Sequence, residues 1–214
     1  MDRPFIIIVC IISLIAFFAK MQVTNLDTNT ANQADSFNQT QPKLNNDYTT
    51  ILFGDSSYIL ILHLFDTTNN YDAEKNNTIL TFSKKGRNQT KALFRDSMFC
   101  MYQDIDFKDF NNDKIADITV FYYTGARANP TYHLYLTDLK NHRLIRVKDF
   151  EELPNPDLDT TNNIITSIAL SGTNYYSFYR IDTKNKLKNL GHSFNENPND
   201  STQYEKAIRQ ILKK

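Results

Sequence analysis

From Tyr48 onward, short runs of β-branched and aromatic residues alternate with clusters of Asn, Asp, Lys and Gly. This is the pattern of strands joined by turns. The runs Tyr58 to Phe65, Thr78 to Ser83, Ala92 to Tyr102, Ile115 to Tyr123, Thr131 to Thr137 and Ile164 to Leu170 are each read as a strand. Tyr58 to Phe65 is apolar at almost every position, which suggests a strand buried between layers. No long helical stripe interrupts them until the carboxyl end. There Tyr204, Ala207, Ile208, Ile211 and Leu212 fall on one face at helical spacing, with Thr202 and Glu205 placed as a capping box. A short terminal helix packed on the domain is expected.

The first residues obey a different rule. Phe5 to Ala19 is almost wholly apolar, flanked by Arg3 and Lys20. It is shorter than the roughly 20 residues of a spanning helix, so residues 1–20 read as a signal peptide, with an uncleaved membrane anchor as the alternative. Residues 21–47 are crowded with Asn, Thr, Gln and Asp and hold too few large apolar side chains to bury a core. A disordered linker is expected there, leaving 48–214 as the β-rich domain. The domain is then exported, periplasmic or membrane-tethered, and any membrane contact runs through the amino-terminal segment.

An internal echo refines the architecture. Tyr132, Tyr135, Asp138, Lys140, Asn141 and Phe150 recur as Tyr176, Tyr179, Asp182, Lys184, Asn185 and Phe194 at one constant offset. In both copies the tyrosines are read as alternating along a strand and Asp-x-Lys-Asn as the hairpin turn. A period of roughly 40 to 45 residues suits one four-stranded propeller blade. The expected fold is all-β: a small or incomplete propeller-like stack of antiparallel meanders and hairpins, with an open stack not separated from it.

Composition narrows the function. The chain is 41% apolar and 13% aromatic, and its 24 Lys and Arg balance 24 Asp and Glu, so no net field draws it to nucleic acid. Cys10 lies in the apolar run, and Cys100, alone in the mature chain, reads as a buried small hydrophobe. His142 and His192 fall in turn-like segments, while His63 and His133 lie in strands as hydrogen-bonded imidazoles. None sits at a spacing that announces a nucleophile-base pair or a zinc site. Glu151 and Glu152 read as a solvated turn rather than a glycosidase pair. No enzyme chemistry is indicated.

The stretch from Asp109 to Asp117 carries the clearest chemistry. Asp109, Asn111, Asp113 and Asp117 stand at positions 1, 3, 5 and 9 of a tight loop, and Ile115 at position 7 offers its backbone carbonyl. Calcium takes six to eight such oxygens. Lys114 occupies position 6, where glycine usually accepts a positive φ. The alternative is a solvated Asp/Asn turn between strands.

The order of this loop, the apolar strand Ile118 to Tyr123, the Tyr-rich hairpin Tyr132 to Leu139 and the segment Leu153-Pro154-Asn155-Pro156 through Asp159 resembles a bacterial exported family. That family is related to FG-GAP and VCBS calcium-loop repeats and includes lysozyme-neutralising immunity proteins. The resemblance spans about half the mature chain and departs from the family pattern at Lys114. It implies a calcium-stabilised binding protein that inhibits a peptidoglycan hydrolase. Related inhibitors carry a Ser-Gly-x-x-Tyr loop that enters the hydrolase cleft, matched here by Ser171, Gly172, Tyr175 and Tyr176. An ordinary hairpin turn is the other reading of that loop. A surface-tethered structural or adhesive module, binding glycan or protein, is the alternative function.

Overall fold

In a computed structural model the strands of the domain form three four-stranded antiparallel sheets, each a meander of four strands consecutive in sequence. The described residues are 47–52, 55–69, 71–125 and 127–213. The expected signal or anchor segment and almost all of the linker lie outside them.

The first sheet comprises β1 (Asp47–Ile51), β2 (Tyr58–Leu64), β3 (Thr78–Lys85) and β4 (Thr90–Met98). The second holds β5 (Ile105–Lys108), β6 (Asp117–Thr124), β7 (Pro130–Asp138) and β8 (Arg143–Val147). The third holds β9 (Asp157–Asp159), β10 (Ile164–Ala169), β11 (Tyr175–Ile181) and β12 (Leu187–Asn195). Helix α1 (Gln203–Leu212) closes the order.

Alternation along each strand explains how the sheets stack. Leu60, Leu62, Leu80 and Phe82 of the first sheet share a core with Ile118, Val120, Tyr135 and Leu144 of the second. The opposite face of the second sheet sends Leu134, Leu136 and Val147 into another core with Leu158, Ile165 and Ile181 of the third. Adjacent Ile164 points the other way, joining Phe178 beneath Ala207, Ile208 and Ile211 of α1. A middle sheet apolar on both faces thus binds its two neighbours.

The expected strands and the terminal helix are present, and several details differ. The capping box does not form: the Thr202 hydroxyl donates to Asp200 Oδ1 at 2.6 Å, and Glu205 faces Arg209 instead. Leu212 is 53% exposed and lies off the buried stripe. Tyr132 and Tyr135, three residues apart, cannot share a strand face, and they pack into the two different cores of the second sheet. His192 lies within β12 rather than in a turn. Five of the six repeated residues take matching places in β7 and β11 or the turns after them, whereas Phe150 comes after β8 and Phe194 lies inside β12.

Cys100 is 2% exposed, and burial pushes its thiol up to about 12. It is held by Asn77, whose Nδ2 donates to its carbonyl while Asn77 Oδ1 accepts its N–H, each at 2.9 Å. That clasp turns the chain out of β4 at Met98, short of the expected Tyr102.

Candidate functional site

The loop between β5 and β6 contains Asp109, Asn111, Asp113 and Ile115 of the expected metal motif, and Asp117 opens β6. Phe110 anchors it: the ring is 3% exposed and meets Phe150 edge-on at 5.1 Å. Asp109 organises the next turn, its Oδ1 accepting the N–H groups of Asn111 at 3.2 Å and Asn112 at 2.6 Å, and its Oδ2 that of Lys114 at 2.9 Å. Asn111 Nδ2 donates to Asp113 Oδ2 at 2.9 Å, and Ile115 N–H to Asp113 Oδ1 at 2.8 Å. Lys114 has φ 72°, so it adopts the left-handed conformation that glycine takes without penalty.

Asp117 closes the loop from inside. It is fully buried, accepting N–H groups from Phe110 at 2.8 Å and Thr137 at 3.0 Å. Burial is the largest influence on its carboxyl and pushes it up to about 6; the two N–H bonds pull it down, and Asp113 and Asp109 push it up further. Beside it the Thr137 hydroxyl is buried without a partner and lines a cavity of about 250 Å³ with Asn111, Asp113 and Ile115. Three carboxylates, an amide and a carbonyl are the hard oxygen donors calcium takes. Among the described residues no group of three or more His, Cys, Asp or Glu side chains is gathered as a ready-made metal site. The residue chemistry fits a hard cation, while the carboxylates spend hydrogen bonds on the loop's own N–H groups.

The second expected site lies elsewhere. Strands β5 and β9 run toward one end of the sheets, where Asn112 Nδ2 donates to Thr160 O at 3.1 Å. Strand β10 then runs back, so residues 170–174 lie at the opposite end, tied to the loop before β7 by Leu170 N–H donating to Asn129 Oδ1 at 2.7 Å. The Ser171 hydroxyl is turned onto Thr173 O within its own loop. Gly172 has open space around a built Cβ and no positive φ, so the backbone does not require glycine there. Asn174 clasps Glu196 through paired hydrogen bonds of 2.7 Å. Tyr175 is 42% exposed, but Tyr176 is stacked on Phe194 at 4.9 Å and 11°. Of the four, Tyr175 presents the most accessible ring.

A third cluster was not visible in the sequence. Arg146 of β8 donates to Asp96 Oδ2 of β4 at 2.9 Å and to Glu151 Oε1 at 3.0 Å, and its Nη2 lies 3.2 Å from His133 Nδ1. The Tyr135 hydroxyl donates to the same Asp96 oxygen at 2.9 Å. His133 Nε2 is 3.1 Å from Phe99 O, which makes Nε2 the protonated nitrogen and Nδ1 the acceptor from Arg146. Burial, then the Arg146 charge, hold this imidazole below its ordinary pKa, against Glu151. Glu151 therefore belongs to a short 3-10 helix, Phe150–Glu152, and to an ionic clamp between the first two sheets, not to a solvated turn. His63, by contrast, is exposed and bonded to Asp47 at 2.5 Å, and His142 stacks on Tyr58 at 4.9 Å. Asp96 meets Arg146 only once β4 is folded against β8, a pairing no local pattern announces.

No protein-family model, curated protein or solved structure matches the chain. Among the described residues no helix is long and apolar enough to cross a membrane.

Proposed function

We propose that the chain is an exported, calcium-stabilised binding protein that blocks a lysozyme-like peptidoglycan hydrolase, and that its three meanders are blades of a small, incomplete propeller-like stack. The observation that carries this reading is the 109–117 loop. Its five donor residues keep the order of a calcium loop, Lys114 takes the backbone conformation of the missing glycine, and Asp117 is buried beside two further carboxylates. Calcium in that loop fixes the entry to β6 and stiffens the middle sheet, on which both neighbours pack. The exposed loops then act by binding, with Tyr175 the more exposed of the two tyrosine rings in the 171–176 loop. The test is inhibition of a panel of lysozyme-like hydrolases by micromolar wild-type protein. Inhibition weakened by Tyr175→Ala is the expected result, and a panel left fully active at that concentration overturns the inhibitor reading.

A further inference from the structure

The edge of the second sheet carries a cavity that neither expected site uses. On β5, Asp106 and Lys108 face the same way, and Asp104 precedes them with the same parity. Their strand partners complete a wall: Asp106 stands opposite Thr119, and Asp104 lies beside Phe121, which pairs with Tyr132. Of these, Asp104, Asp106, Lys108, Thr119 and Tyr132 line, together with Phe110 and Pro156, an open cavity of about 340 Å³. Phe121 meets Tyr132 edge-on at 5.7 Å and lies 5.5 Å from Tyr102, which is 62% exposed and extends the aromatic surface outward.

The charges in this cavity are unbalanced. Among the described residues no Lys, Arg or His forms an ion pair with Asp104 or Asp106. Lys108 lines the same cavity, but its ammonium is paired with Asp157 and lies over the Phe110 ring at 5.5 Å. Burial pushes the Tyr132 hydroxyl's pKa up, and the charges of Asp104 and Asp106 push it up further. Two carboxylates that form no ion pair among the described residues, set beside the Tyr132 ring with Lys108 already paired to Asp157, leave excess negative charge that suits a flat or compact cation able to stack on the ring while donating hydrogen bonds.

We propose that this cavity receives a basic side chain, arginine above lysine, from a partner protein. The inference rests on the reading of the chain as a protein-binding scaffold, and it places the charged part of the contact on the β5 edge rather than on the 171–176 loop. A guanidinium enters between Asp104 and Asp106 with its plane toward Tyr132, and Tyr102 covers the stem.

The test uses the full folded domain and N-acetyl-arginine amide as the probe, monitored by NMR shifts of Thr119, Phe121 and Tyr132. Saturable shifts that the neutral isostere N-acetyl-citrulline amide does not produce are expected, with affinity at least about tenfold lower in Asp104→Asn/Asp106→Asn. Both residues are exposed, so the double variant keeps its fold, which its unchanged melting temperature verifies. Equal shifts with citrulline, no shifts at all, or shifts with an N-acetylglucosamine oligomer alone overturn the proposal. If a hydrolase is inhibited equally by wild type and the double variant, this cavity is not the contact, though the inhibitor reading stands. Arginine binding with no hydrolase inhibited supports the cavity and removes the inhibitor reading.

Discussion

The first loops of the second and third sheets begin alike and end differently. Asp109 and Asp159 both close the first strand of their sheet and both accept the N–H groups two and three residues on. In the third sheet the turn is then finished: Asn162 Nδ2 donates to Asp159 Oδ2 at 2.7 Å and β10 begins at Ile164. Burial pushes the Asp159 carboxyl up, but hydrogen bonds from Asn162, Thr161 and Tyr204 outweigh it and hold the group below its ordinary range. In the second sheet the loop runs on through Asp113 to a buried Asp117 whose carboxyl is pushed up to about 6. Both loops bond a carboxylate with their own amide, but only the second brings further carboxylates close enough to push up a buried one, the charge that the proposed cation would offset. The same strand-closing aspartate therefore opens a turn that ends at once or a longer loop that reaches a buried carboxylate, according to the residues on its carboxyl side.

Asp117→Ala breaks this contrast most strongly. It leaves two buried N–H groups without acceptors and is expected to destabilise the domain by about 3 kcal/mol in denaturant unfolding. A loss no greater than that of Asp159→Ala contradicts the distinction between the loops.

The pH dependence has opposite signs at the two sites. With a folded value of about 6 against 3.8, Asp117 keeps its proton between pH 4 and 6 while the unfolded chain has released it. In calcium-free buffer stability therefore falls as pH rises through that window, by on the order of 3 kcal/mol. Asp159, held below its ordinary value, contributes stability that is present above about pH 4 and is lost as pH falls further. Urea melts across this range should lose the first slope in Asp117→Asn and keep it in Asp159→Asn.

Two smaller changes sharpen the comparison. Asp159→Ala removes a turn cap and is expected to cost about 1 kcal/mol with no change in the response to calcium. Lys114→Gly relieves the positive φ and is expected to stabilise by about 0.5 kcal/mol, the relief being partly offset by glycine's greater unfolded freedom. Calcium titration should show tighter binding in that variant, and weaker binding would mean that Lys114 assists the loop.

Much of this was legible in the sequence because it is local. Runs of β-branched and aromatic residues between turn clusters mark the β2, β3, β6, β7 and β10 strands, and the spacing of Ala207, Ile208 and Ile211 marks the helix face that is buried. The oxygen order of 109–117 was equally plain, and so was the turn shared by Asp138 and Asp182. Strands β1, β9 and β12 were less visible because they are short or largely exposed, so burial imposes no alternation on them. The capping box failed because Asp200, two residues before Thr202, competes for its hydroxyl. The Arg146 clamp and the Asp104–Tyr132 wall depend on which strands become neighbours, and no single run of residues encodes that. Tyr176 shows the converse: its motif suggests a partner contact, and its half-buried ring is stacked on Phe194, a contact that only the β11–β12 pairing creates.

The central claim is that the loop of the second sheet is a cation loop and that of the third is not. Thermal unfolding of wild type, Asp113→Ala and Asp159→Ala, each with excess calcium and with chelator, tests it directly. Binding to the native state alone raises the melting temperature by mass action. The account predicts a calcium-dependent rise in wild type and Asp159→Ala that Asp113→Ala abolishes. Identical melting curves for wild type in calcium and in chelator contradict it.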